Sequence, residues 1–399
     1  MSQSLSVSCK LQVPDNVRPT IDRTMEQFAE ACNQILVAAQ LHKCYNATKL
    51  HHLTYKAVRE VTGLKANHVC QAIRRVLGNL KTTKKIRKFR PTSVSLDART
   101  FVYHPETQEV GVTLIDKRHT FKLLIGNYQR ALLSGQTPSS ATLVKRQDGS
   151  FYLNIAIELD TPPTGKTPKV VGVDLGRRDI AITSTGKAWN GASLQAARDR
   201  YSRVRANVCS KRTRSSRKLL RRLSGRERRF QEWVNHNISK ELVSEAKSLG
   251  AALAFEDLTN IRESLNQKPR TKEERRRSNN WAFYQLRLFT GYKAAIAGVP
   301  VVFVPPAYTS QMCSRCHHVH PKRGKSYRNG KTFKCGHCGF EHDSEALASL
   351  RASADLNAAM NIAQFGVVYV NQPEIPGIVC LLEGQLSLQQ VRSGIKPRT

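Results

Sequence analysis

Residues 170–184 read VVGVDLGRRDIAITS. A short apolar run ends on Asp174, a Leu-Gly turn follows, and apolar residues resume after Asp179, so the segment predicts a strand, a tight turn and a second strand over 179–184. Working outward, a long basic stretch with helical spacing covers about 196–249, AALAFEDL at 251–258 reads as another strand, a helix is expected over about 280–297, and VPVVFVPP at 299–306 closes the series. Strands alternating with helices imply a mostly parallel α/β core. Asp174 ends the first of these strands, Glu256 ends a second, and Asp355 opens the Ala-rich helix ADLNAAMNIA at 354–363. Taken singly, each acid reads more readily as a helix cap or a surface charge, and only their combination points to a site. Carboxylates at strand ends can also converge on divalent cations, and two such ions activate water on one side of a phosphodiester while stabilising the leaving oxygen on the other.

Cys313, Cys316, Cys335 and Cys338 form two Cys-x2-Cys pairs separated by eighteen residues. Two-residue spacing aims both thiolates of a pair at one tetrahedral ion, and two pairs complete a four-thiolate zinc site. Such a site has no open position for substrate, so the expected zinc is structural. The neighbouring His317, His318, His320, His337 and His342 are surplus to four thiolates and read as exposed polar residues. The remaining six cysteines are scattered and read as small buried hydrophobes.

The 399 residues carry 64 Lys plus Arg against 30 Asp plus Glu, a formal charge of +34. A polyanion is the expected partner. No run is apolar enough for a bilayer span, and the start MSQSLSVSCKLQV lacks the pattern of a secretory leader, so a cytoplasmic protein without a membrane partner is expected. Fourteen Lys or Arg lie between 198 and 229 with only Asp199 and Glu227 opposing them, and this density predicts a helix that tracks phosphates, with Arg212, Arg214, Arg217, Lys218, Arg221 and Arg222 as the main candidates. Arg74, Arg75, Lys84, Lys85, Arg87 and Lys88 are a second candidate group. Trp189, Trp233 and Trp281 have the chemistry to stack on bases, although packing is the commoner use of tryptophan.

Upstream, Leu5, Val7, Cys9, Leu11 and Val13 alternate as in a half-buried strand, and residues 16–80 carry helical spacing, with Ile21, Met25, Phe28, Cys32, Ile35, Leu36 and Ala39 on one face. KTTKKIRKFR at 81–90 is too charged for a core. Short β-branched and aromatic runs over 91–160 predict a β-barrel or sandwich that the first strand can join, and TPPTGKTPK at 161–169 reads as a linker.

In this order, VVGVDLG, LAFEDLTNIRES, TSQMCSRC, CGHCGF and ADLNAAMNIA resemble the segments of the transposon-encoded TnpB family, to which the compact type V CRISPR effectors are related. The resemblance is specific over about 168–363. It implies a multidomain α+β protein: a β-barrel wedge domain from 1–15 and 91–165, a helical recognition domain at 16–90, an RNase H-like (RuvC) nuclease from 166–309 and 342–366, a zinc-ribbon insertion at 310–341 and a tail at 367–399. The implied activity is RNA-guided, metal-dependent DNA cleavage beside a short flanking motif. Its implied requirements are a guide RNA, target double-stranded DNA, two Mg²⁺ held by Asp174, Glu256 and Asp355, and one structural Zn²⁺; a monomer is the default. The basic helix is implied to lie against a guide RNA–DNA heteroduplex. A compact type V CRISPR effector is the alternative within the same chemistry, and a nuclease-inactive RNA-guided repressor, which predicts a broken acid set, the alternative outside it. One departure from the family pattern is the insertion HDSEALASLRAS before the last helix, which makes Asp343 a rival for the third acid. Asp257 follows Glu256 directly, and strand alternation should turn it away from the cluster.

Overall fold

The computed structural model describes residues 2–371 apart from 84, 85, 87, 177, 224, 259–270, 272–282, 323, 324 and 342–352. Lys84, Lys85, Arg87, Trp281, His342, Asp343 and most of the 367–399 tail therefore lie outside the described residues. The chain divides into two compact units, one of residues 2–160 and one beginning at 161.

The first unit starts with β1 (Ser2–Gln12), then the helices α1 (Arg18–Leu41), α2 (Ala47–Thr62) and α3 (Ala66–Thr82). The strands β2 (Ser93–Asp97), β3 (Phe101–His104), β4 (Glu109–Thr113) and β5 (Arg118–Leu124) follow, then a short helix α4 (Asn127–Leu133), β6 (Ser140–Lys145) and β7 (Phe151–Asp160). The sheet order is β2-β6-β7-β1-β5-β4-β3, and β1 lies in its interior, antiparallel to both β7 and β5. Val7, Cys9 and Leu11 are all buried on one face of the strand, as their alternation requires. Helices and sheet share one hydrophobic core that includes Phe28, Ile35, Leu50, Val69, Phe121 and Ile155.

Arg75 is taken up inside this unit. Its guanidinium donates to the Ser93 carbonyl at 2.8 Å and the Ser95 hydroxyl at 3.0 Å, and it lies over the Phe28 ring at 4.8 Å. Arg75 is thus held by groups of its own unit, whereas Arg74 and Lys88 are exposed. The charged 81–90 segment also contributes more to packing than its composition predicts, since Ile86 and Phe89 rest on the core.

The second unit is built on a five-stranded sheet ordered β10-β9-β8-β11-β12. Its strands are β8 (Val170–Asp174), β9 (Asp179–Thr183), β10 (Ala188–Asn190), β11 (Ala252–Glu256) and β12 (Val301–Val304). β8, β11 and β12 run parallel, and β9 and β10 extend the sheet as antiparallel strands. Between β10 and β11 come α5 (Ala192–Ser210), α6 (Arg214–Leu223) and α7 (Arg226–Leu249); α8 (Phe283–Ala297) precedes β12. A hairpin of β13 (Arg328–Asn329) and β14 (Thr332–Phe333) leads to α9 (Ser353–Asn371). Among the described residues, no helix is long and apolar enough to cross a membrane.

The parallel strands are buried on both faces, which is why they read as unbroken apolar runs. Val171, Val173, Leu253, Phe255 and Phe303 face a core shared with Leu242 of α7 and Leu286 of α8, while Ala252, Ala254, Val302 and Val304 pack with Ile362 of α9. Small residues set how closely α9 approaches. A Cβ at Gly172 would stand 2.0 Å from the Ala359 carbonyl oxygen, and one at Gly366 would meet the Ala254 Cβ at 2.6 Å. α9 therefore rests almost directly on the backbone of β8, and its first turn comes to the end of that strand. Replacing Gly172→Ala forces backbone apart and is expected to cost about 2 kcal/mol or more, lowering Tm by roughly 5 °C; a melting curve matching that of the unmodified chain contradicts this packing.

Candidate active site and four-cysteine centre

Parallel pairing determines where the first two acids lie. Phe255 of β11 is in register with Val173 of β8, so the next residues, Glu256 and Asp174, leave the sheet side by side at its carboxyl edge. Asp355, in the first turn of α9, is brought to the same edge by the close seating of that helix, and it is almost entirely buried. Asp257 turns away and faces Arg287 of α8 at 3.5 Å, as alternation requires.

Electrostatics record the convergence. Burial, reinforced by the nearby charges of Glu256 and Asp355, pushes the Asp174 pKa up to about 8, with partial relief from the Arg328 guanidinium and the Leu175 amide. Burial also raises Glu256, against the effect of the Thr309 hydroxyl, which donates to its carboxylate. Carboxylates this close cannot all ionise cheaply unless cations join them.

Two such cations are supplied by the β13–β14 hairpin. Arg328 donates to one oxygen of Asp355 at 2.8 Å, and the Lys331 ammonium bonds the other oxygen while reaching Asp179 at 2.6 Å. The backbone adds a tie, as the Ala354 amide donates to the Lys331 carbonyl at 3.0 Å. A second set of polar residues ties α9 to the loop that carries the first cysteine pair. Asn357 donates to the Met312 carbonyl at 2.8 Å and accepts from the Ser314 amide at 2.9 Å; Asn361 donates to the carbonyls of Thr309 and Met312, and Gln364 to that of Ser314.

None of Arg328, Lys331, Asp179 or Thr309 stood out in the sequence, because each acts through partners far along the chain. Asn357 and Asn361 did carry a signal. Asn at i and i+4 on the buried face of an apolar helix has to be hydrogen-bonded, and here the partners are backbone groups of one loop.

The four cysteines meet, with their sulfurs all within 4.8 Å of one another. Cys313 and Cys338 are 3.8 Å apart and Cys316 and Cys335 3.7 Å apart. A tetrahedron of metal–sulfur bonds of about 2.3 Å has edges of about 3.8 Å, so the cluster has the size of a metal site. The nearby histidines are engaged elsewhere: His317 bonds Gln364 at 2.9 Å, and His318 stacks on His337 with ring centroids 4.6 Å apart. Arg212, Arg214, Arg217, Lys218, Arg221 and Arg222 are exposed on or just before α6. Of the scattered cysteines, Cys9 and Cys32 are buried as expected, but Cys209 is exposed.

Comparison with known proteins adds a relationship to this geometry. Residues 283–362 match the family model described as Cas12f1-like, TNB domain. A TnpB-like protein of Methanocaldococcus jannaschii is 29% identical over 254 residues, 60% of this chain and 87% of that protein. The CRISPR-associated endodeoxyribonuclease Cas12f1 of Sulfoacidibacillus thermotolerans is 30% identical over 269 residues, 58% of this chain but 54% of that one, so the chain spans about half the length of this relative. In a cryo-EM structure of a Cas12f1–sgRNA–target DNA complex, the protein covers 88% of this chain and 83% of its own at a TM-score of 0.61 and 15% identity, which is a likeness of fold. The chain is thus a multidomain α+β protein, similar in sequence to a TnpB-like protein and to Cas12f1 and similar in fold to Cas12f1.

The raised Asp174 carries a pH signature. Without divalent cations Asp174 stays protonated in the fold up to about pH 8, whereas in the unfolded chain it ionises near its ordinary value of 3.8. Between those limits the folded chain binds more protons, so stability falls as pH rises. In EDTA, Asp174→Asn should therefore melt roughly 5 °C above the unmodified chain at about pH 8, with the gap closing toward about pH 4. Equal melting temperatures at both pH values contradict the clustering.

Proposed function

We propose that this chain is an RNA-guided DNA endonuclease whose second unit is an RNase H-like (RuvC) nuclease. The observation that carries the proposal is the meeting of Asp174, Glu256 and Asp355 at one sheet edge, with Asp174 held far above the ordinary carboxylate range. In this reading residues 166–309 and 342–366 are the nuclease, 310–341 a zinc-ribbon insertion, 16–90 a recognition domain, and 1–15 with 91–165 a wedge domain. The guide and target are supported by relatives named TnpB-like and Cas12f1, by the fold shared with a Cas12f1–sgRNA–target DNA complex, and by the +34 charge with its exposed run on α6.

The donor set fits divalent cations. Three converging carboxylates repel one another even with Arg328 and Lys331 beside Asp355, and the Lys331 ammonium bridges Asp355 and Asp179 as a stand-in ion. When bound, two Mg²⁺ supply Lewis acidity on both sides of a scissile phosphate. Asp174, Glu256 and Asp355 would hold the ions; the chain's own residues keep Asp174 protonated in their absence, position Glu256 through the Thr309 hydroxyl, and orient Asp355 through Arg328 and Lys331. Phosphate backbones are gripped by exposed arginines and lysines, while base pairing with the guide reads sequence. The four thiolates would hold one structural Zn²⁺, which braces the hairpin that carries Arg328 and Lys331.

Programmed with its guide, the chain should cut target DNA in Mg²⁺. Asp174→Ala, Glu256→Ala or Asp355→Ala should each slow cutting roughly a thousandfold, a loss of about 4 kcal/mol of transition-state stabilisation, while guided binding persists. Asp343→Ala should cut normally. Cutting by all three of the first variants at the unmodified rate refutes the assignment. For the ribbon, metal analysis should find about one zinc per chain, reduced in Cys313→Ser and in Cys335→Ser; a chain without zinc contradicts the four-thiolate reading.

A further inference from the structure

The three tryptophans do not have equivalent surroundings. Trp189 is engaged, its indole N–H donating to Glu241 at 3.1 Å with the Lys187 ammonium 4.9 Å over its ring, and Trp281 lies outside the described residues. Trp233 is 61% exposed on the outer face of α7. Phe230 stacks beside it, with ring centroids 6.1 Å apart and planes inclined by 16°. Exposed Arg226 and Arg229 lie seven and four residues before Trp233, so the spacing of the helix puts two guanidinium-bearing side chains and two aromatic rings on one face.

The acids in this part of α7 are already neutralised. Glu227 pairs with Arg205 at 3.1 Å and Glu232 with Arg228 at 3.5 Å. Among the described residues nothing covers the outer part of this indole, whose apolar area stays in water at a cost in free energy. A helix face combining it with cationic side chains has the composition of a stacking platform for nucleic acid, in which the rings take a base face and the guanidinium groups take the flanking phosphates.

We propose that Trp233, backed by Phe230, is a stacking platform for an unpaired base of a bound nucleic-acid strand. This deepens the nucleic-acid reading above and rests on it. Charge complementarity identifies the occupant: with both local acids paired internally, the face presents uncompensated positive charge around its rings, which suits a strand carrying one phosphate for every base. Stacking is tolerant of sequence because every base has a π-face, so the platform suits a protein whose sequence reading is left to base pairing.

The test compares two probes on the full chain, an oligodeoxythymidylate of about twelve nucleotides and an abasic oligomer of the same length and charge. The unmodified chain should bind the thymidylate more tightly. Trp233→Ala should weaken thymidylate binding about tenfold and leave abasic binding unchanged, and Trp233→Phe should retain most of the affinity. In a Trp189→Phe/Trp281→Phe background, the remaining fluorescence should be quenched by thymidylate and not by the abasic oligomer. Unchanged thymidylate binding in Trp233→Ala, equal losses on both probes, or equal quenching by both overturns the platform. If the unmodified chain binds neither probe at about 50 mM salt, the nucleic-acid reading itself falls, and an acidic protein partner becomes the occupant to pursue.

Discussion

Repulsion among buried carboxylates is the constraint on which the second unit depends. Asp174, Glu256 and Asp355 are brought to one point by parallel strand pairing and by a helix seated on bare backbone, and the cost of that arrangement is visible in Asp174. Much of the surrounding structure offsets it. The hairpin cations Arg328 and Lys331, the Thr309 hydroxyl and the Leu175 amide each direct positive charge or a donor at the acids. A site of this kind is stable without its ions only as long as protons and side-chain cations take their place, and it favours any divalent ion that replaces them.

The four-cysteine centre is tied to the same helix that carries Asp355. Its first pair sits on the loop held to α9 by Asn357, Asn361 and Gln364, and its second pair directly follows the hairpin that reaches Asp355. Fixing the four-cysteine segment therefore fixes Arg328 and Lys331 against Asp355. Loss of the thiolate cluster should be felt at the acid site as well as locally, because both ends of the ribbon contact α9.

Much of this was legible in the order of residues. The strand ending on Asp174, the strand ending on Glu256 and the Asp355 helix follow from apolar runs and their period, and the cysteine pairs from spacing alone. What could not be read was any pairing across long separations. Lys331 and Asp179 are 152 residues apart, and neither has a local pattern that names the other. The surroundings of Arg75 are hidden for a related reason: charge is visible in a sequence, but its place over Phe28 and its hydrogen bonds to Ser93 and Ser95 depend on how the sheet meets α3. The interior position of β1 was open for the same cause, since alternation marks a half-buried strand without saying which neighbours it will find.

Whether the three acids form a cation site is tested, without relying on cleavage, by binding of Mn²⁺ followed by electron paramagnetic resonance on the full chain. The account predicts about two Mn²⁺ per chain, close enough together for their spins to couple, competing with Mg²⁺ and lost in Asp174→Asn. Binding of no Mn²⁺, or the same binding in Asp174→Asn as in the unmodified chain, would contradict it.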